Sequence, residues 1–315
     1  MYEDLKQALE GCVYTVFTPF DENEQIDYAS LERYLTTLYR QGATKFYVMA
    51  YNSRYSQLKH DEILALNEFA TRTVKKLSAK NVMVVGDPIH CSTRESTEFA
   101  RHAKDCGADL ISLIFREKYF DDEQVLDHFA EVGRDSGMAI LVHEMPFLSG
   151  YNGTQMHWPV SLFNKLPQID QIVALKEDAK DFDITCAALA LEPRIRVIIA
   201  GRKSVLTDYR NHGAMSYLNG ISMLDARIGE TFWAAWKSGD EATMRWIIDE
   251  LEAPFFDRCA AKYGWHRTNK ALLQAAGFMH RRDRMPLKHL SDEQYAEVEA
   301  VYKLIAPRIE ARFGK

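Results

Sequence analysis

Long apolar runs are missing from this chain: no stretch approaches the roughly 18 residues that a membrane-spanning helix needs. The first twenty residues, MYEDLKQALEGCVYTVFTPF, have neither the basic start nor the apolar centre of a secretory signal. Cysteine is scarce. The five residues Cys12, Cys91, Cys106, Cys186 and Cys259 are scattered, odd in number and never spaced as CxxC. This usage argues for reduced thiols in a cytoplasmic setting, and against a disulfide framework or a zinc site. There is no block of like charge, and the net charge is −6, so neither a disordered arm nor a nucleic-acid surface is expected. No GxGxxG follows the first apolar run, which removes the main support for a dinucleotide-binding open sheet. The HExxH and HxxEH spacings of metal-dependent hydrolases are also absent.

What is present is a repeat of short apolar runs and longer amphipathic segments. The chain has 315 residues, 47% of them hydrophobic and 27% charged, enough for one α/β barrel with additional helices. Candidate strands are CVYTVF (12–17), KFYVMA (45–50), VMVVG (82–86), LISLIF (110–115), AILVHE (139–144), IVALK (172–176), RVIIAG (196–201) and AMSYLN (214–219). They show little polar alternation, as parallel strands covered on both faces should. Helix punctuation lies between them. Asp27 precedes an amphipathic run that stops at Gly42, Leu58 to Glu62 lead into another helix, and Ser92-Thr93-Arg94-Glu95 fits a capping box closed by Gly107. After Asn219 only helices are expected, over 227–237, 240–262, 268–277 and 291–313. The pattern reads as a (β/α)₈ TIM barrel over residues 1–225, with a C-terminal helical extension over 226–315 packed on it.

Active sites of such barrels lie at the C-terminal ends of the strands. The polar residues that end the runs are Thr18, Tyr51 to Arg54, Asp87, His90, Arg116, Glu117, His143, Glu144, Lys176, Glu177, Arg202, Lys203 and Asn219. Lys176 stands apart because it follows Ile172-Val173-Ala174-Leu175 with no turn residue between. A lysine on a strand at the barrel mouth loses hydration, which frees its neutral amine to attack a carbonyl. A lysine that only snorkels to solvent would read the same way.

Thr18-Pro19-Phe20, the Asp27 helix, Leu58 to Glu62, Met145-Pro146 and Val173-Ala174-Leu175-Lys176-Glu177 resemble the dihydrodipicolinate synthase and N-acetylneuraminate lyase family. The likeness runs from about residue 12 to about residue 220. It implies a homo-oligomeric barrel, usually a tetramer, in which Lys176 forms an imine with pyruvate or a related 2-oxo acid. It implies no metal or organic cofactor.

The departures bear on function. Where the family has Gly-Thr-Thr-Gly-Glu after strand two, this chain has Ala50-Tyr51-Asn52-Ser53-Arg54, leaving Asn52, Ser53 and Arg54 as candidate carboxylate contacts. His143 occupies the position of the family's proton-relaying tyrosine. An imidazole of ordinary pKa exchanges protons near neutrality, but His143 bonded to Glu144 or to backbone would be structural only. Leu148 stands where the synthases carry a substrate-binding arginine, and Arg116-Glu117 replace a tyrosine pair, although Tyr119 is close. Both changes argue against dihydrodipicolinate synthesis.

Arg202 and Lys203, at the start of a helix, suggest an anionic group at the far end of the substrate, although two solvated loop charges would read the same way. Glu144 and Met215 complete the substrate-binding set. The expected activity is a class I lyase. The alternatives are a metal-dependent barrel lyase built on Asp87, His90, His143, Glu144 and Glu177, and a binding barrel without turnover.

Overall fold

The computed structural model describes residues 2–48, 53–117, 120–145 and 157–314. Eight parallel strands close into a barrel in chain order. They are β1 (Gly11–Thr15), β2 (Lys45–Tyr47), β3 (Val82–Gly86), β4 (Leu110–Leu113), β5 (Ala139–His143), β6 (Ile172–Glu177), β7 (Arg196–Ile199) and β8 (Ser216–Leu218). Each overlaps one expected run, and β8 pairs with β1 through Val13 and Leu218 to complete the ring. The chain therefore forms a TIM barrel.

Strand parity sorts the core into two layers. Val13, Tyr47, Val82, Val84, Leu110, Ala139, Leu141, Ala174, Ile198 and Leu218 point inward as one cluster, with Leu9 and Leu5 of the N-terminal segment packed on it. The alternate residues, among them Cys12, Tyr14, Phe46, Met83, Ile111, Ile140, Leu175 and Val197, face the surrounding helices. In β6 the alternation slips. Ile140 pairs with Ile172 but Leu141 pairs with Ala174, so Val173 is an extra residue at a bulge. The slip restores register further along, and His143 pairs directly with Lys176.

The helices start where their caps stand. The Asp27 carboxylate accepts from the Ser30 amide ahead of Tyr28–Arg40, and Ser92 accepts from the Glu95 amide ahead of Thr93–Cys106. The second arm of the expected Ser92 capping box is not made, because the Glu95 carboxylate instead contacts His60 Nδ1 at 2.5 Å. Gly107 ends that helix at φ +88°, a conformation costly for other residues.

The helix Ala226–Ser238 lies against β1. Its Gly229 sits so close that an added Cβ would be 2.6 Å from Tyr14 Oη and 2.8 Å from Cys12 Sγ. The stretch from residue 226 onward, expected as the C-terminal extension, thus begins with a helix packed on β1. There the expected helix 240–262 is helical from Glu241 to Tyr263, but Ile247–Glu252 and Phe256–Ala260 are π-helical. These segments flank Pro254, which has no amide hydrogen to continue the α-helical ladder. Helices Trp265–Ala275 and Asp292–Phe313 follow, the last opened by a complete Ser291–Gln294 capping box.

Candidate active site

Inward parity at the C-terminal ends of the strands places Tyr47, Ser112, His143 and Lys176 together inside the barrel mouth. Lys176 is 1% exposed, and its Nζ lies 2.5 Å from His143 Nε2 while donating to Asp178 Oδ2 at 2.9 Å. An ammonium so deeply buried needs a countercharge, and the Asp178 carboxylate provides it. On the far side of the imidazole, Tyr47 Oη is 3.5 Å from Nδ1 and 2.5 Å from Ser112 Oγ.

His143 is fully buried. Burial first, then the neighbouring Lys176 and Arg116 charges, hold its pKa well below the usual imidazole value. The ring is therefore neutral near neutrality and does not titrate there, contrary to the expectation from an unperturbed imidazole. With Nε2 accepting from Lys176, the ring proton is assigned to Nδ1, facing Tyr47.

Two carboxyl groups nearby are pushed the other way. Glu144 is 2% exposed, and its Oε2 has no hydrogen-bond partner among the described residues. Burial, reinforced by the Glu177 and Asp178 charges, raises its pKa to about 8, so near neutrality it is mostly the acid. Glu177 is raised to about 7, chiefly by burial. Its oxygens accept from the Ala179 amide and the Thr185 hydroxyl, which commits it to the turn after β6.

Beside Lys176 opens a cavity of about 540 Å³. Thr15, Asp178, Arg202 and Asn219 line it from the barrel, while Phe256 and Trp265 line it from the extension. The Asn219 Oδ1 accepts from both the amide and the hydroxyl of Thr15, so its orientation is fixed.

The other expected contacts fare differently. The Thr18 hydroxyl donates to the Ser53 carbonyl and the Ser53 hydroxyl to the Val16 carbonyl, so both serve to tie two loops together. Arg54 holds a left-handed conformation at φ 52° ahead of the short helix Tyr55–Gln57. Asn52, together with Tyr51, Pro146, Leu148 and Tyr119, lies outside the described residues.

Arg202 borders the cavity, but its guanidinium pairs with Asp257 at 2.9 Å and lies over the Phe256 ring. Lys203 is fully buried and donates to the Asn219 carbonyl at 2.8 Å. The expected pair of basic groups reaching for an anion is thus already engaged, and the Lys203–Leu206 helix is a single turn. Met215 precedes β8, where its carbonyl accepts from Gly11 at the N-terminal end of the barrel. It therefore lies at the opposite end of the barrel from the mouth.

The proposed metal set does not converge either. Asp87 is held by Ser96 and Cys91, His90 is exposed, and among the described residues these five groups do not bring three ligand atoms together.

Against known proteins, the sequence pattern described as the dihydrodipicolinate synthetase family matches residues 8–305. The chain belongs to this family. Among dihydrodipicolinate synthetase relatives, a 4-hydroxy-tetrahydrodipicolinate synthase of Archaeoglobus fulgidus is 23% identical over 93% of this chain and 97% of its own. A DapA-like lyase of Pyrococcus abyssi is 27% identical over 56% of this chain, which spans 62% of that relative's length. The solved N-acetylneuraminate lyase of Fusobacterium nucleatum superposes with a TM-score of 0.79 at 17% identity, covering 95% of this chain and 99% of that one. The dihydrodipicolinate synthase of Oceanobacillus iheyensis gives 0.82 at 16%, covering 96% and 98%. At such identity the structural likeness speaks for the fold alone. The family consists of lyases of the class I aldolase type, and no helix among the described residues is long and apolar enough to cross a membrane.

Proposed function

We propose that this chain is a Schiff-base-forming lyase acting on pyruvate or a related 2-oxo acid, with Lys176 as nucleophile. The observation that carries the reading is the Lys176 amine, buried at the wall of the cavity between a neutral imidazole and a carboxylate. The attacking amine must first lose a proton, and His143 Nε2 is positioned to take it. The amine then adds to the 2-oxo carbon, one of its protons passes from nitrogen to the new alkoxide to give the carbinolamine, and the proton held by His143 goes to the hydroxyl as it leaves as water. The resulting iminium withdraws electrons from the adjacent carbon, which serves carbon–carbon cleavage and dehydration alike. Glu144, largely protonated, supplies a second acid at the same mouth.

Dihydrodipicolinate synthesis itself is not the activity we infer, because Leu148 replaces the arginine that the family resemblance calls for. Assembly into an oligomer of identical chains belongs to the same proposal. The loops after β1 and β2 favour a second reading, a binding barrel without turnover, because the Thr18 and Ser53 hydroxyls already donate to backbone.

Borohydride reduction in the presence of pyruvate and a panel of other 2-oxo acids separates the readings. Trapping of an adduct on the peptide containing Val173 to Glu177, lost in Lys176→Ala, is the expected result. Thermal stabilisation by a 2-oxo acid with no trapped adduct would sink the lyase and leave the binding barrel. In the same panel, turnover of pyruvate with aspartate semialdehyde at about 1 s⁻¹ or more, an ordinary enzyme rate, would overturn the exclusion of the synthase.

A further inference from the structure

Away from the mouth, two neighbouring barrel helices bring three different metal-ligating side chains together. Glu68 comes from the helix His60–Leu77, and His102 and Cys106, one helical turn apart, come from Thr93–Cys106. Their ligand atoms all lie within 4.8 Å of one another, the one such group among the described residues. From these residues we propose that the outer face of the barrel holds a divalent transition-metal site of the zinc type.

Two of the three ligand-to-ligand edges have the length that a tetrahedral ion requires. Zinc bonds of about 2.0–2.1 Å to nitrogen and oxygen and about 2.3 Å to sulfur require ligand-to-ligand edges of roughly 3.3–3.6 Å. Here His102 Nε2 is 3.5 Å from Glu68 Oε2 and 3.6 Å from Cys106 Sγ. Sγ is also 3.9 Å from Nδ1, so metal binding requires the ring to turn about its Cβ–Cγ bond to aim the Nε2 lone pair at the ion.

Charge and support agree. A thiolate, a neutral imidazole and a carboxylate balance a divalent cation. Arg72 holds the other Glu68 oxygen at 2.6 Å, which fixes the carboxylate while leaving Oε2 to the metal. Three protein ligands leave a fourth position to water. The ion would clamp the two helices outside β3 and β4, a stabilising role separate from the imine chemistry. The sequence concealed it because the His-x₃-Cys pair is incomplete without the neighbouring helix.

Cobalt(II) is the probe, since a cobalt–thiolate bond gives a near-ultraviolet charge-transfer band and equilibrium dialysis counts the ion. Chelator-stripped protein should take up one cobalt per chain with that band and show a raised Tm. Cys106→Ser should lose the band, and His102→Ala and Glu68→Gln should weaken uptake at least tenfold. All three side chains are half-exposed, so the variants should fold, which circular dichroism checks. Borohydride trapping at Lys176 should be the same with and without cobalt. Absence of the band in the parent protein, its survival in Cys106→Ser, or uptake unchanged in both His102→Ala and Glu68→Gln would overturn the site.

Discussion

His143 matters through the charge it lacks. Held well below the ordinary imidazole range by burial beside Lys176, it stays neutral across the working range, so kcat/KM should show no limb near about 6.5. Glu144 should supply a limb instead. If its acid form donates a proton, activity falls as pH rises through its value of about 8. Glu144→Gln keeps the shape without the proton, and should abolish that limb and lower kcat by a factor of about 10² to 10⁴. A profile and kcat unchanged in Glu144→Gln would remove it from the chemistry. How legible this site was depended on position. Lys176 and His143 end apolar runs, and any reading of strand ends finds them. Tyr47 and Ser112 lie inside runs that look wholly structural, and only strand parity turns them toward His143. Asp178 lies beyond its run, and its bond to Lys176 depends on the turn after β6. Met215 misled because it belongs to the correct strand segment at the wrong end of the barrel.

At the scale of elements, caps and close approaches were unequally visible. Asp27, Ser92 and Ser291 announce their helices because a short polar side chain satisfies amides that the helix leaves open. The bulge at Val173 has no such signature, since an apolar residue facing the inner core looks the same in either register. Gly229 likewise gives no warning in sequence, being a glycine within a helix. In the fold it lets Ala226–Ser238 settle on β1, with Tyr14 Oη donating to the Ala226 carbonyl at 2.8 Å. Gly229→Ala gains roughly 1 kcal/mol of helix propensity. The new methyl would lie 2.6 Å from the Tyr14 hydroxyl, and overpacking of about 1–3 kcal/mol should prevail at so short a contact. The urea midpoint should drop, and an equal or higher midpoint would show that the helix can lift at little cost.

For the whole molecule, the barrel was the most legible feature, because eight evenly spaced runs leave few other closed arrangements. Its stability should depend on pH in a way set by buried groups. Burial lowers His128 and His266 to about 4, so their contribution is full above the ordinary imidazole value and drains as pH falls toward that number. Burial raises Asp87 and Glu177 to about 7 and Glu144 to about 8, so their contribution is lost as pH rises through those values. Between about 6.5 and 8 the histidines have nothing more to add. Tm should therefore decline across that window, less steeply in Glu144→Gln. Above it, Lys270, lowered to about 8, acts with the opposite sign. Calorimetry showing a flat or rising Tm in the window would contradict this balance. The cavity beside Lys176 has a divided ancestry within one chain. Strand ends supply the reacting groups, whereas Phe256, Ala260, Ala261 and Trp265 of the extension supply the opposite wall. If the proposed imine chemistry holds, changes in the extension would alter which molecule fits without disturbing the strand-end groups that react with it. The fit of a substrate and its chemistry would then be set by different parts of the fold.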